Sequence, residues 1–172
     1  MTIPATPMDT VTLERHIAAG PETVFGLLVD RANWLSWMGA DGTFVFEPGG
    51  SYRVQVTAED AAAGRFISVD PPRRIVFSWG WETGAMPAPP RSEPVPPGTS
   101  TVEITLEPAP DGTLLHLIHS GLPSSEACEA HAEGWQHYVD RLAIRAEGGD
   151  PGPDTWRRRG EPEDGRQAPR EG

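Results

Sequence analysis

The feature that most constrains the fold is a series of short segments with alternating apolar and polar residues, followed by one long amphipathic segment. Apolar side chains at every second position are typical of strands with one buried face, whereas recurrence every three or four positions is typical of a helix. The sequence predicts strands over residues 11–17, 43–47, 51–57, 64–70, 74–81, 101–107 and 113–120, with turn residues between most of them. A long helix is predicted to follow them near the C-terminus.

The long helix is predicted from Ser124 or Ser125 to about Glu147. Either serine can accept hydrogen bonds from the free amides of a helix start, and Gly148 and Gly149 end the segment. Two shorter helices are predicted after the first strand, one beginning at residues 20–22 and one over residues 33–38, each with one apolar face.

The predicted strands and helix each have one apolar face that must be buried. Strand alternation places Ile75, Phe77, Trp79 and Trp81 on one side and, on another strand, Leu115, Leu117 and His119. The helix carries its own stripe, which contains Cys128, His131, Trp135 and Leu142. The arrangement that buries both surfaces is an α+β fold in which a curved antiparallel sheet of about six or seven strands wraps round the long C-terminal helix.

The 172 residues predict one domain over residues 11–147, with an N-terminal extension at 1–10. Residues 83–100 contain six prolines, which no strand tolerates, and are therefore predicted to form a long loop. Residues 148–172 have almost nothing to bury, and we expect a disordered or loosely ordered tail.

Charge and composition exclude several classes of partner. The formal net charge is −11, so nucleic acid and anionic membrane surfaces would be repelled. No apolar run reaches the ~18–20 residues that cross a bilayer, so membrane insertion is not expected. The single cysteine, Cys128, cannot form an internal disulfide, and the first residues lack a secretory signal pattern. These features predict a cytoplasmic protein.

A cavity is expected because a curved sheet and a straight helix pack tightly at one end and diverge at the other. An apolar small molecule could bind there. The lining predicted for this ligand site is mostly aromatic with one polar end and consists of Trp37, Phe77, Trp79, Trp81, Leu117, His119, His131 and Trp135.

His119 and His131 are the most informative polar residues, since both are expected to face the cavity and each other. They could form a proton relay or orient a polar ligand group. Alternatively, they are core histidines satisfied by the backbone or by water. A metal would need a third ligand such as Cys128 or Glu129, and no metal-binding spacing is present, so neither metal nor cofactor is predicted. No nucleophile or phosphate-loop motif occurs either, and no catalytic residue is assigned.

Several segments are informative when they are taken together and in order. They are Arg15-His16-Ile17 followed by AGPETVF, then Trp37, GRFISVDPPR with VFSW after it, VEITL, GTLLHLIHSGL and EGWQHYVDRL. In this order they resemble the activator-of-heat-shock-protein-90-ATPase homologues, a branch of the SRPBCC superfamily that also includes START, birch-pollen-allergen-like and polyketide cyclase proteins. The resemblance covers residues 11–147 and implies a helix-grip fold with a ligand cavity between the sheet and the last helix.

Three functions follow from these expectations. The leading one is a non-enzymatic or weakly catalytic protein that binds an apolar or aromatic small molecule. The resemblance also implies two alternatives, a cochaperone-like protein that binds a chaperone, and a polyketide cyclase-like or hydrolase-like enzyme that uses the cavity histidines. A homodimer is left open as well. The proline-rich segment and the tail depart from the family pattern.

Overall fold

The computed structural model describes residues 10–57, 60–82 and 95–154. One seven-stranded antiparallel sheet contains every strand of this part of the chain, in the spatial order β1-β7-β6-β5-β4-β3-β2. The elements in chain order are β1 (Thr10–Ile17), α1 (Pro21–Gly26), α2 (Arg31–Leu35), β2 (Asp41–Phe44), β3 (Ser51–Gln55), β4 (Ala61–Asp70), β5 (Arg74–Trp79), β6 (Ser100–Ala109), β7 (Gly112–Ser120) and α3 (Ser125–Ala146). The predicted α+β helix-grip fold is confirmed.

The long helix α3 closes the apolar face of the sheet. The Ser124 hydroxyl accepts from the amide of Ala127 at 3.1 Å and starts the helix as predicted, and Gly148 follows its end with a positive φ of 94°. The buried residues of α3 recur every three or four positions and are Ala127, Ala130, His131, Gly134, Trp135, Tyr138, Val139, Leu142, Ala143 and Ala146. In the described part of the chain, no helix is both long and apolar enough to cross a bilayer.

Several element boundaries differ from the predictions for local reasons. Strand β4 begins at Ala61 rather than at residue 64, because its first residues pair with β3. Strand β5 ends at Trp79 rather than at Trp81, and Trp81 donates its amide to the carbonyl of Val95 at 2.7 Å. Helix α2 begins at Arg31 rather than at residue 33, because the Asp30 carboxylate caps it.

The chain after α3 turns back along the helix over residues 148–154. The Arg141 guanidinium donates to the carbonyls of Pro151, Gly152 and Pro153 at 3.3, 3.0 and 3.4 Å. The sequence places these residues in the disordered or loosely ordered tail, whereas the structure shows them hydrogen-bonded to α3. The rest of the predicted tail, the N-terminal extension as far as residue 9 and residues 83–94 of the proline-rich loop lie outside the described residues.

Aromatic rings fill the interior in two connected groups. One surrounds Trp34 and Phe77 between α2 and the sheet, and the other surrounds Trp79 beneath α3. The rings of Phe77 and Trp79 join the groups, with centroids 6.4 Å apart. The second group contains both buried histidines and forms the candidate site.

Candidate ligand-binding site

A small pocket lies between the end of β5 and the buried face of α3. About 260 Å³ there is free of protein atoms, part of it open to solvent, and the enclosed portion has room for about one water molecule. The walls are almost entirely apolar and consist of Met38, Val56, Trp79, Trp81, His131, Gly134, Trp135 and Tyr138.

Four of the eight residues predicted to line the site do so. These are Trp79, Trp81, His131 and Trp135. His119 lies behind this wall, with its ring centroid 6.0 Å from that of Trp79. The other three are fully buried in the surrounding core and do not contribute to the pocket wall: Trp37, Phe77 and Leu117.

Sequence reasoning missed the other half of the lining. Gly134 and Tyr138 share the helical face of His131 and Trp135, so the periodicity of α3 could have identified them. Met38 follows α2 and Val56 follows β3, in irregular stretches that carry no periodic signal. The prediction therefore included the three tryptophans and the histidine of the pocket lining and missed the four residues named above.

The two histidines face each other, as the sequence predicts. Their ring centroids are 5.1 Å apart and the rings are nearly perpendicular, at 87°. His131 Nε2 accepts from Trp81 Nε1 at 3.1 Å, while His131 Nδ1 donates to the carbonyl of Ala127 at 2.8 Å. Both nitrogens of His131 are therefore occupied by protein groups.

His119 is satisfied in the same way. Its Nδ1 accepts from Trp135 Nε1 at 3.0 Å. Its Nε2 lies 2.8 Å from the Ser100 hydroxyl, which itself donates to the carbonyl of Trp79 at 2.9 Å. The Ser100 proton is thus committed, so His119 Nε2 carries a hydrogen and donates it to Ser100.

These contacts fix both imidazoles in the neutral form, with one tautomer each. Burial lowers the pKa of His131 to about 4, despite the hydrogen bond to Ala127, which acts to raise it. Burial, with a smaller contribution from the neighbouring His131, lowers the pKa of His119 well below its ordinary value. Since an indole N–H already occupies each free lone pair, neither ring has a lone pair left to accept a proton from a ligand.

Trp79 carries the polar group of the pocket wall that has no partner. Its indole Nε1 is buried and makes no hydrogen bond within the described part of the chain. Trp34 Nε1 is in the same condition, but Trp34 belongs to the other aromatic group and does not line the pocket. A buried donor without a partner costs about 1–3 kcal/mol, so an acceptor placed beside Trp79 would stabilise the site.

The remaining wall is attached to the chain that follows α3. The Tyr138 hydroxyl donates to Asp154 Oδ2 at 2.6 Å, and His137 Nε2 lies 2.7 Å from Asp154 Oδ1. Burial acts to raise the pKa of Asp154, but the hydrogen bonds from His137 and Tyr138 outweigh it and hold the pKa below its usual value. An ionised carboxylate therefore anchors this side of the pocket.

Within residues 10–57, 60–82 and 95–154, no group of three or more His, Cys, Asp or Glu side chains is arranged to hold a metal ion. Cys128, considered above as a third ligand beside the histidines, is half-buried.

Comparisons with known proteins identify the family. Residues 18–147 match the model of the activator of Hsp90 ATPase homolog 1-like protein family. No curated protein matches the sequence. The solution structure of the AHSA1-like protein from Rhizobium etli is 47% identical, with a TM-score of 0.64, and the match covers 84% of this chain and 86% of that one.

Two further structures share the fold. The crystal structure of DynU16, a protein of the dynemicin biosynthetic locus, is 26% identical with a TM-score of 0.67; the match covers 83% of this chain and 49% of that one. Protein CV1439 from Chromobacterium violaceum is 23% identical with a TM-score of 0.64; the match covers 81% and 98% of the two chains and shows the fold alone. From the family match and the Rhizobium etli relative, this chain belongs to the activator of Hsp90 ATPase homolog 1-like family of the SRPBCC superfamily.

Proposed function

We propose that the protein binds a small, uncharged, largely aromatic molecule in the pocket between β5 and α3. The observation that carries this proposal is the Trp79 indole N–H, which is buried beside the pocket without a partner. A ligand that offers one hydrogen-bond acceptor would recover the free energy that this orphaned donor costs. Flat rings suit the walls, because three of the eight lining residues are tryptophans.

An ionised ligand would fit this site poorly. The pocket is almost entirely apolar, and both imidazoles are held neutral by their protein partners. A buried charge without a partner is strongly disfavoured. The acceptor should therefore be a carbonyl or ether oxygen rather than a carboxylate.

Binding requires the pocket to widen, since the enclosed space holds about one water molecule. Met38 is one wall residue suited to this, because its unbranched thioether side chain has three rotatable bonds. The similarity to DynU16, from the dynemicin biosynthetic locus, is compatible with a role of this chain in small-molecule metabolism. The match spans only about half of DynU16.

The two alternatives have less support. A cyclase-like or hydrolase-like enzyme would need a free lone pair on His119 or His131, and an indole N–H occupies each of them. A cochaperone-like role rests on the family match alone. The chaperone partner, the homodimer and the cytoplasmic location stay predictions.

The test uses two probes with the same ring skeleton, the ketone 1-tetralone and the hydrocarbon tetralin. Two-dimensional 1H–15N NMR resolves the indole N–H signals. With 1-tetralone we expect the Trp79 signal to move downfield, while the Trp34 signal, from a buried and equally unpaired donor outside the pocket, stays in place. Tetralin should produce no downfield shift at Trp79.

The matched variant is Trp79→Phe, which keeps a ring in the wall and removes the donor. It should weaken 1-tetralone binding about tenfold relative to tetralin, with Trp34→Phe as the control that leaves both affinities unchanged. The proposal fails if neither probe perturbs the pocket resonances, or if the ketone and the hydrocarbon bind the wild-type chain equally well.

A further inference from the structure

The residues that follow α3 are hydrogen-bonded to a residue of the pocket wall. Residues 150–154, here called the C-terminal strap, lie beyond the 18–147 range that the family model matches. Arg141 on α3 donates through Nη1 to three successive carbonyls of the strap, those of residues 151, 152 and 153. The strap is thereby held along the helix face next to the pocket.

The strap ends on a buried carboxylate. The side chain of Asp154 is only 6% exposed and receives the Tyr138 hydroxyl on one oxygen, while the other lies 2.7 Å from His137 Nε2. Tyr138 itself is 2% exposed and lines the pocket. A hydrogen bond of 2.6 Å from Tyr138 to Asp154 therefore links the strap to the pocket wall.

Arg141 also contacts the backbone next to Met38, the lining residue with the most flexible side chain. Arg141 Nε donates to the carbonyl of Trp37 at 3.0 Å, and the next residue along the chain is Met38, which lines the pocket. Arg141 thus joins the strap to the backbone beside Met38, while Asp154 joins it to Tyr138. The strap is therefore connected to two of the residues that line the pocket.

We propose that the C-terminal strap is a latch that limits the size of the ligand, with Asp154 as the positioning residue that holds the Tyr138 ring in the pocket wall. This inference rests on the proposed function and adds a size selection to it. With the latch closed, the enclosed space holds about one water molecule, so a multi-ring ligand must displace a wall residue. Moving Tyr138 outward requires its hydrogen bond to the Asp154 carboxylate to break.

The cost of opening determines the expected effect. Hydrogen bonds to ionised groups are about twice as strong as neutral ones, and breaking this one should populate the open pocket only to about one part in ten to one in a hundred. The apparent affinity for a large ligand falls by the same fraction, and removal of the latch restores it. A ligand small enough to leave Tyr138 in place gains nothing.

The experiment compares a ladder of uncharged monoketones, acetophenone, 1-tetralone and 9-fluorenone, against full-length variants. Asp154→Ala and Tyr138→Phe should each bind 9-fluorenone at least tenfold more tightly than the wild type, with acetophenone affinity changed less than about threefold. The double variant should match the single ones, because both remove the same bond. Asp150→Ala is the matched control, since its side chain is 83% exposed on the same strap and does not contact Tyr138.

The remaining outcomes distinguish the latch from the proposed ligand site. If every variant and the wild type bind the ketones with the same size preference, the latch is wrong and the ligand site stands. The latch is also wrong, and the ligand site stands, if Asp154→Ala lowers the affinity for all three ketones equally. If none of the chains binds any ketone, the proposed function fails. Binding of 9-fluorenone by the unlatched variants alone supports both. Tyr138→Phe keeps the Asp154 carboxylate and the ring, so it tests the latch even if Asp154→Ala folds poorly.

Discussion

Lowering the pH from 7 to about 4 is expected to destabilise the folded chain through its two buried histidines. Burial holds the pKa of His131 at about 4, whereas the ordinary value of 6.5 applies once the chain unfolds. The pKa of His119 is lowered in the same direction, chiefly by burial and further by the adjacent His131. Between these two pH values the unfolded chain therefore binds more protons than the folded one, and the free energy of unfolding falls as the pH falls.

The size of the effect follows from the His131 value. The interval from 6.5 to about 4 corresponds to a loss on the order of 3 kcal/mol, complete only below pH 4. This is a substantial part of the ~5–15 kcal/mol that stabilises a typical domain. His119 adds to the loss with the same sign, because burial lowers its pKa as well and the adjacent His131 lowers it further. Above about pH 7.5 both rings are neutral in the folded and the unfolded chain, so the histidines add no further pH dependence there.

The assay is urea unfolding followed by tryptophan fluorescence at several pH values between about 7.5 and 4.5. His131→Gln keeps a neutral group that can accept from Trp81, so it should flatten the pH dependence relative to the wild type. His16→Gln is the control, because His16 is exposed and its substitution should leave the slope unchanged. Parallel profiles for the wild type and His131→Gln would refute the reasoning, as would an NMR titration that shows His131 protonating near pH 6.5 in the folded chain.

Two packing features give further predictions, each checked by urea unfolding at pH 7. Ser124→Ala removes the side chain that caps α3 and should cost about 1 kcal/mol; an unchanged midpoint would mean that the helix start is held by other contacts. Gly64→Ala should cost about 1–3 kcal/mol, because a Cβ there would lie 2.1 Å from the carbonyl oxygen of Ser78 on the neighbouring strand. Gly26→Ala, where an added Cβ meets nothing within 4 Å, is the control and should be neutral or slightly stabilising.

Strand and helix periodicity could predict the architecture because burial imposes it directly. Phe77 and Trp79 are buried on either side of the half-buried Ser78 on β5, and His131 and Trp135 recur on α3, as a two-layer fold requires. The start of β4 at Ala61 could not be predicted in this way. Its first three residues are alanines, which carry no alternation and have low strand propensity, and pairing with β3 forms the strand there.

The candidate site was only half predictable, because hydrogen bonds between distant residues decide the rest. The sequence placed His119 and His131 together but left open whether they were free, since nothing local indicates that Trp81 and Trp135 donate to them. The strap is a similar case. Residues 150–154 are rich in Gly, Pro and Asp, which is typical of a tail, and the guanidinium that holds them binds backbone carbonyls, which carry no sequence signature.

The lining residues of the pocket are held by different means, and under the proposed function this determines where selectivity can arise. Hydrogen bonds to the histidines fix the orientation of Trp81 and Trp135, so these rings are preorganised and turning either one would leave an indole N–H unpaired. By contrast, Met38 can change rotamer, and Tyr138 is hydrogen-bonded to Asp154 beyond the end of α3. Asp154, which accepts the hydrogen bond from Tyr138, lies outside residues 18–147, which the family model matches. If the proposed latch operates, a change at Asp154 would alter the ligand size that this chain accepts without any change in the tryptophans that the histidines hold.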